Sequence, residues 1–204
     1  MTTGRVRIFA MVMALAMATG VRGQSINGHQ YVDLGLSVVW ATCNVGANSP
    51  AKSGYYYAWG GTDDVTEWGR DNYKKYSRST SDISGTSRDV ARLKWGGRWR
   101  MPTIADYREL MNKCTWTFTT VNGVNGYRVK GKNGNSIFLP ASGYVFASRR
   151  YEYDEQGYYW SSTPDGKDSQ NAINLYISYD KEYYMDSGDR SFGYMVRPVA
   201  DKTR

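Results

Sequence analysis

Residues 115–141 read TWTFTTVNGVNGYRVKGKNGNSIFLPA, and this stretch has the clearest strand and turn pattern of the chain. It contains three segments rich in strand-forming residues: Trp116–Thr120, Gly126–Lys130 and Ser136–Pro140. Asn122-Gly123 and Asn133-Gly134 separate these segments, and an Asn-Gly pair in that position is typical of a tight β-hairpin. The stretch therefore predicts three antiparallel strands joined by two hairpins.

Further strand-like segments lie on both sides of this stretch. Those before it are Tyr31–Leu36, Val38–Val45 and Tyr55–Gly60, and those after it are Tyr158–Ser162, Ala172–Ser178 and Tyr194–Val199. Within Ala172–Ser178, apolar side chains alternate with Asn174 and Tyr176, which indicates that the two faces of this strand have different surroundings. Pro164-Asp165-Gly166 predicts a turn after the fourth of these strands.

One helix is well marked. Thr103, with Asp106 three residues later, has the spacing of a capping box, and apolar residues recur at helical spacing as far as Lys113. We also expect a short helix from Arg88 to Lys94, and we interpret the polar stretch from Gly61 to Arg88 as a long surface excursion. Few helices and many hairpin-linked strands predict an α+β domain with one main helix, several antiparallel strands and long loops.

Residues 1–23 have the pattern of a secretory signal peptide. Arg5 and Arg7 precede the apolar run Ile8–Ala18, and small residues follow as far as Gly23. The run is too short to span a bilayer and has no polar face, as a helix of the folded domain would need. We therefore expect an exported protein located in the periplasm, at the cell surface or in the medium, with no membrane span.

The composition after this leader fits one ordinary domain, residues 24–204. Removing Arg5, Arg7 and Arg22 from the 26 basic residues leaves 23 against 19 acidic residues, a net charge of +4. The remaining basic residues are scattered along the chain, so we do not expect a nucleic-acid partner. The oligomeric state does not follow from the sequence.

Cys43 and Cys114 are the two cysteines of the chain. In an exported protein the environment permits pairing, so a disulfide between them is one expectation. Two separate buried thiols are the alternative, because a sequence does not give the distance between the two Cα atoms.

A set of ordered motifs runs through residues 28–199. The motifs are Gly28-His29-Gln30-Tyr31-Val32-Asp33-Leu34-Gly35-Leu36, Trp40-Ala41-Thr42-Cys43-Asn44-Val45-Gly46-Ala47, Tyr56-Tyr57-Ala58-Trp59-Gly60, residues 94–103 (KWGGRWRMPT), Cys114-Thr115-Trp116, residues 134–141 (GNSIFLPA), Tyr159-Trp160-Ser161-Ser162-Thr163 and Val196-Arg197-Pro198-Val199. In this combination the chain resembles the Fibrobacter succinogenes major paralogous domain family. Its last two motifs also resemble the ending of the variable proteins of diversity-generating retroelements.

This resemblance implies a C-type-lectin-like fold with a ligand-binding face in the C-terminal third. The family is associated with exported and surface proteins of Bacteroidota-type bacteria, and it has no established activity. The chain departs from the family at Gly61, where members often have Glu, and at Ser37-Val38, which shortens a connection. Neither departure lies in the C-terminal motifs.

The chain lacks the usual components of several catalytic sites. His29 is its single histidine, and no His/Cys spacing fits zinc. We expect no cofactor. Bound calcium is a minor alternative, because four carboxylates could supply oxygen ligands: Asp165, Asp168, Asp186 and Asp189. A carboxylate-dependent polysaccharide hydrolase is another alternative, because a pair of acidic residues in the Tyr-rich region could act in glycoside hydrolysis. The candidates are Glu152, Asp154, Glu155 and Glu182.

The C-terminal third is rich in tyrosine, with ten of the 18 tyrosines between residues 144 and 194. Tyr provides contact area at low entropic cost, and the interspersed Ser, Asn and Gly provide adaptable hydrogen bonding, as in antibody paratopes. The rings could also stack on sugars. Part of this set is expected to be core, and Tyr159 and Trp160 in particular.

We therefore predict a non-catalytic module that binds an extracellular glycan or a surface protein, with a structural subunit of a surface appendage as a further alternative. The predicted ligand-binding residues lie in the less patterned intervals: Tyr151, Tyr153, Asp154, Glu155, Asp165, Asp168, Gln170, Tyr179, Asp180, Tyr183, Tyr184, Asp186 and Arg190. Arg197, between Val196 and Pro198, is instead expected to be a framework residue that bonds carbonyls or an acid.

Overall fold

The structure is a computed structural model that describes residues 24–65 and 76–203. The predicted leader, residues 1–23, and residues 66–75 of the predicted excursion lie outside the described residues. The elements in chain order are β1 (Ser25–Ile26), β2 (His29–Val32), β3 (Val38–Ala41), α1 (Val90–Trp95), β4 (Trp99–Arg100), α2 (Ile104–Lys113), β5 (Thr115–Val121), β6 (Val124–Lys130), β7 (Ser136–Pro140), β8 (Ser142–Phe146), β9 (Arg149–Tyr153), β10 (Gln156–Pro164), β11 (Asn171–Ser178), β12 (Tyr183–Asp189) and β13 (Val199–Asp201).

The described strands form three sheets. The first has the order β1-β2-β3-β13-β4, the second β12-β11-β10-β8-β9, and the third β5-β6-β7. The pairings within them are antiparallel except that β10 and β8 run parallel. Mostly antiparallel sheet with two described helices agrees with the predicted α+β class.

The third sheet confirms the two predicted hairpins. Val121 pairs with Val124 around Asn122-Gly123, and both turn residues have the positive φ that such a tight turn requires, 51° and 79°. Lys130 pairs with Ser136 across the second connection. Local turn chemistry therefore sets the register of this sheet.

Helix α2 begins and ends where the sequence predicts. The Thr103 hydroxyl accepts a hydrogen bond from the Asp106 N–H at 3.2 Å, and the Asp106 carboxylate accepts one from the Thr103 N–H at 2.8 Å. This reciprocal pair is the predicted capping box. Helix α1 begins two residues later than predicted, because Asp89 is its N-cap, and ends one residue later, at Trp95, before Gly96 with φ at 64°.

Two hydrophobic clusters hold the sheets together. One includes Tyr107 and Leu110 of α2 with Tyr159 of β10 and Ile177 of β11. The other joins the first sheet and α1 to Trp160 and Tyr194, among other residues. Strand β10 therefore contributes to both clusters, as expected for Tyr159 and Trp160.

Arg197 confirms its predicted framework role. The side chain is fully buried, and its guanidinium donates to the Asn44 Oδ1 atom at 2.7 Å and to the Ala41, Thr42 and Phe138 carbonyls at 3.2, 3.0 and 2.9 Å. Ala41 belongs to the first sheet and Phe138 to the third, so one side chain links these two sheets.

Several strand predictions are wrong in extent. The first two predicted strands end early, at Val32 and Ala41, and Gly35 has a positive φ of 77° just after the first of them. The predicted strand Tyr55–Gly60 reduces to one bridge, which joins Tyr57 to Tyr194. Gly54 and Gly60, on either side of this bridge, have positive φ angles of 70° and 68°. Pro198 has no N–H to donate, and β13 begins only after it, at Val199.

Cys43 and Cys114 are not paired in the structure, which therefore does not support the predicted disulfide. Cys43 follows β3 of the first sheet, whereas Cys114 is the C-cap of α2. The two thiols are therefore held by different elements of the fold. The described part of the chain contains no helix of the length and apolar character needed to cross a membrane.

Candidate functional site

Five tyrosines form one row across the second sheet, with one from each strand. In spatial order they are Tyr184 of β12, Tyr176 of β11, Tyr158 of β10, Tyr144 of β8 and Tyr151 of β9. Tyr176 lies directly opposite both Tyr184 and Tyr158, and Tyr144 lies opposite Tyr151. Neighbouring strands are about 4.8 Å apart, so this tyrosine row is about 19 Å long.

The join in the middle of the row depends on the one parallel pairing. There Gly157 of β10 pairs with Gly143 of β8, which brings the next residues, Tyr158 and Tyr144, side by side. Gly143 has φ at 65°, and a Cβ atom on it would lie 1.8 Å from the Tyr151 carbonyl oxygen. Only glycine permits this close approach of β8 and β9.

Each ring of the tyrosine row contacts the next. Along the row from Tyr184 to Tyr151, successive centroids are 4.8, 5.3, 5.2 and 5.2 Å apart. The corresponding angles between ring planes are 38°, 65°, 74° and 20°. The rings therefore do not form one flat platform, and the surface they present includes ring edges as well as faces.

A second layer of aromatic rings supports the row from beneath. The ring of Tyr194, which is buried, lies 5.0 Å from Tyr158 and 4.2 Å from Trp160, and Phe192 lies 5.5 Å from Tyr144. Tyr184 is 44% exposed, and the other four tyrosines of the row are half-buried. Packing thus fixes the rings before any ligand arrives.

Three hydroxyls of the row, those of Tyr144, Tyr158 and Tyr184, have a raised pKa and stay protonated. Burial is the main cause that raises the pKa of Tyr144, Tyr158 and Tyr184, and neighbouring tyrosines raise it further. The carboxylate of Glu152 adds to the effect on Tyr144 and Tyr158, and that of Asp186 on Tyr158 and Tyr184. The row therefore offers neutral hydroxyls, which both donate and accept hydrogen bonds.

The predicted site residues of β9 and its turn separate into different environments. Tyr151 belongs to the row, whereas the ring of Tyr153 lies 5.2 Å from the Arg150 guanidinium and lines a different cleft. Glu152 and Asp154 have positive φ angles of 53° and 66°, which interrupt the alternation of faces. The Asp154 carboxylate accepts hydrogen bonds from the Asn125 backbone and side chain, and Glu155 is exposed.

The predicted residues around β12 also divide between two faces. Tyr184 is in the row and Asp186 lies near it, but the adjacent Tyr183 stacks on Trp116 at 4.5 Å beside the core. Tyr183, although a predicted site residue, does not join the row, because successive residues of a strand point in opposite directions. Tyr179 and Asp180 are exposed in the β11–β12 connection, beyond the end of the row.

The loop between β10 and β11 uses its polar side chains for its own structure. Asp165 accepts hydrogen bonds from the Lys167 N–H and the Ser187 hydroxyl, and Asp168 accepts one from the Gln170 N–H. Among residues 24–65 and 76–203, no group of three or more His, Cys, Asp or Glu side chains is placed to hold a metal ion. The loop does not extend the row.

Arg190 is a structural residue, and its assignment to the binding face is corrected. Its side chain is 1% exposed, and the guanidinium donates to the Asn171, Ser77 and Ser79 carbonyls at 2.9, 3.0 and 2.9 Å. The guanidinium carbon also lies 4.4 Å from the Trp59 ring centroid. The three carbonyls lie 19, 113 and 111 residues away along the chain, so no local sequence pattern indicates this burial.

Three tyrosines of the row were missed as preferred site residues: Tyr144, Tyr158 and Tyr176. Two of them directly follow the paired glycines of β8 and β10, and the third lies on the polar face that the alternation in Ala172–Ser178 indicated. These signals become informative only when the order of the strands is known.

The comparisons with known proteins concern the region that carries the row. A family described as a domain of unknown function (DUF8237) has a sequence model that matches residues 119–199. All five tyrosines of the row lie within this range. Searches among curated proteins and among solved structures found no match. The chain is therefore similar, over the part that builds the tyrosine row, to a domain of unknown function.

Proposed function

We propose that this protein is an exported, non-catalytic binding module whose tyrosine row binds the surface of another protein. The observation that carries the proposal is the register of the second sheet, which aligns one tyrosine from each of five strands. Tyrosine is enriched at protein interfaces and among the residues that dominate their binding energy. Its rigid ring and hydroxyl suit recognition at low entropic cost.

The ring geometry favours a protein surface over an extended glycan. A sugar chain that stacks along the row would need rings with similar orientation, but neighbouring planes differ by 65° and 74° in the middle of the row. Ring edges and hydroxyls instead suit the mixed apolar and polar surface of a protein. Glu152 and Asp186 lie near the row, so a partner with basic residues around its contact surface would be complementary in charge.

We also propose membership of the Fibrobacter succinogenes major paralogous domain family, with a C-type-lectin-like fold. The ordered sequence motifs support this assignment, and so does the position of the tyrosine row in the C-terminal third. Export is supported by the pattern of residues 1–23. N-terminal sequencing of the protein recovered outside the cytoplasm should show processing at or near Gly20 or Gly23.

The binding proposal is tested with a double variant within the row and a single control variant outside it. Proteins captured from surface extracts by the full recombinant chain would be purified, and their affinity measured by biolayer interferometry. The double variant Tyr176→Ala/Tyr184→Ala should bind at least about 100-fold more weakly, because truncated hot spots cost about 2 kcal/mol or more each. Tyr179→Ala is the control, since Tyr179 is 51% exposed but lies outside the row.

Two results would contradict the proposal. One is a double variant that binds every captured protein as tightly as the unaltered chain. The other is binding to a glycan array that the double variant abolishes, with no protein partner, which would assign the row to a glycan.

A further inference from the structure

A separate cleft lies beside Tyr153 of β9, outside the tyrosine row. Its walls are the loop from Gly46 to Gly54, the β5–β6 turn and the side chain of Tyr153. The cavity volume is about 510 Å³, within the range of about 300–1,000 Å³ that is typical of small-molecule sites. The tyrosine row does not line this cleft.

The loop wall of the cleft is fixed by bonds to the core. The Asn44 side chain donates to the Ser53 carbonyl at 2.9 Å, and its Oδ1 atom accepts from the buried Arg197. Gly54 has φ at 70°, and a Cβ atom there would lie 2.2 Å from the Val45 carbonyl oxygen. The loop is therefore held in one conformation, which reduces the entropic cost of binding.

The aromatic wall is fixed as well. The Arg150 guanidinium lies 5.1 Å from the ring centroid of Tyr56, which is buried, and 5.2 Å from that of Tyr153. It links the exposed Tyr153 ring to the core by two cation–π contacts. Tyr153 is nevertheless 51% exposed, so ring surface is left available to a ligand.

The charge and the polar groups of the cleft indicate the ligand class. Lys52 is the one charged side chain among the described residues that line it, and no carboxylate lines it with Lys52. Ser49, Ser53 and Asn122 supply hydroxyl and amide groups that match sugar hydroxyls. An aromatic ring suits the apolar face of a pyranose, and an ammonium group suits a carboxylate.

We propose that this cleft binds a sugar unit that carries a carboxylate, a hexuronic acid residue of an acidic glycan. The pyranose lies against Tyr153 and its carboxylate is paired with Lys52. The site is independent of the protein-binding row, so each can be lost without the other.

The test is isothermal titration calorimetry of the full recombinant chain with three probes. They are an oligogalacturonide, the neutral oligogalactoside of the same length and free galacturonate. The oligogalacturonide should bind at least about tenfold more tightly than the neutral chain, because one of its carboxylates forms a charge-assisted hydrogen bond with Lys52. Free galacturonate should bind too, more weakly, because it fills one position only.

Two substitutions locate the site. Tyr153→Ala should weaken oligogalacturonide binding by up to about tenfold through lost stacking. Lys52→Met should remove the preference for the acidic chain and leave the weak neutral binding unchanged. Both side chains are exposed, so folding should persist, and circular dichroism checks this.

Matched controls separate this site from the row. Tyr179→Ala removes a tyrosine with the same exposed fraction, 51%, and Tyr184→Ala removes one from the row; both should bind the oligogalacturonide normally. Equal affinity for the acidic and neutral chains, normal binding by Tyr153→Ala and Lys52→Met, or absence of heat with all three probes would overturn the proposal.

Discussion

Replacing Arg190 by Met tests whether this residue supports the fold or contacts a ligand. The substitution keeps much of the apolar stem but removes three hydrogen bonds to carbonyls, at 2.9, 3.0 and 2.9 Å, and the contact with Trp59. Hydrogen bonds to charged groups contribute about 1.5–3 kcal/mol each, and the cost of burying the guanidinium offsets part of this. We expect the free energy of unfolding to fall by about 3–5 kcal/mol.

Urea unfolding followed by tryptophan fluorescence and circular dichroism measures this loss. Arg190→Lys should lower the free energy of unfolding by about 2 kcal/mol, because an ammonium group lacks the planar fork that reaches all three carbonyls. Arg88→Met is the control: Arg88 is exposed, and its loss should change stability by less than about 0.5 kcal/mol.

The opposite pattern would refute this reasoning. If Arg190→Met unfolded within about 0.5 kcal/mol of the unaltered protein and yet lost binding to its partner, Arg190 would be a contact residue after all.

Three further predictions follow from the packing, the thiols and the tyrosines. Gly143→Ala should destabilise the protein by about 2–4 kcal/mol in urea unfolding, from a positive φ and a clash with the Tyr151 carbonyl, whereas Gly166→Ala, with open space around it, should be nearly neutral. Cys43 and Cys114 should both react with a thiol reagent in unreduced, unfolded protein, and a reductant should leave the unfolding midpoint unchanged; a disulfide would instead contribute about 4 kcal/mol. Burial raises the pKa of Tyr127 to about 12, so the unfolded chain loses this proton first, near pH 10. The stability from this group is complete below about pH 10 and should fall as the pH rises to 12, in unfolding curves recorded across that range; stability that rises there would contradict the burial.

Features set by neighbouring residues were predictable from the sequence. The Asn-Gly hairpins and the capping box at Thr103 each depend on residues a few positions apart, and the structure has them as predicted. The framework role of Arg197 was also foreseen, although its partners were not.

The tyrosine row was only half predictable, because it depends on which strands are neighbours. Tyr183 and Tyr184 are adjacent in the sequence and lie on opposite faces of β12. The positive φ angle of Glu152, which lies between Tyr151 and Tyr153, separates two rings that alternation alone would place together. The burial of Arg190 depends on carbonyls as far as 113 residues away, so no local pattern encodes it.

The position of β13 constrains the order in which the protein can fold during synthesis. This strand pairs with β3 on one side and β4 on the other, so the first sheet is incomplete until β13 has been made. Arg197, two residues before β13, supplies the guanidinium that joins the first and third sheets. A nascent chain that ends before these residues lacks both connections. The first sheet therefore cannot close until β13 has been synthesised, although β2 and β3 are made more than 150 residues earlier.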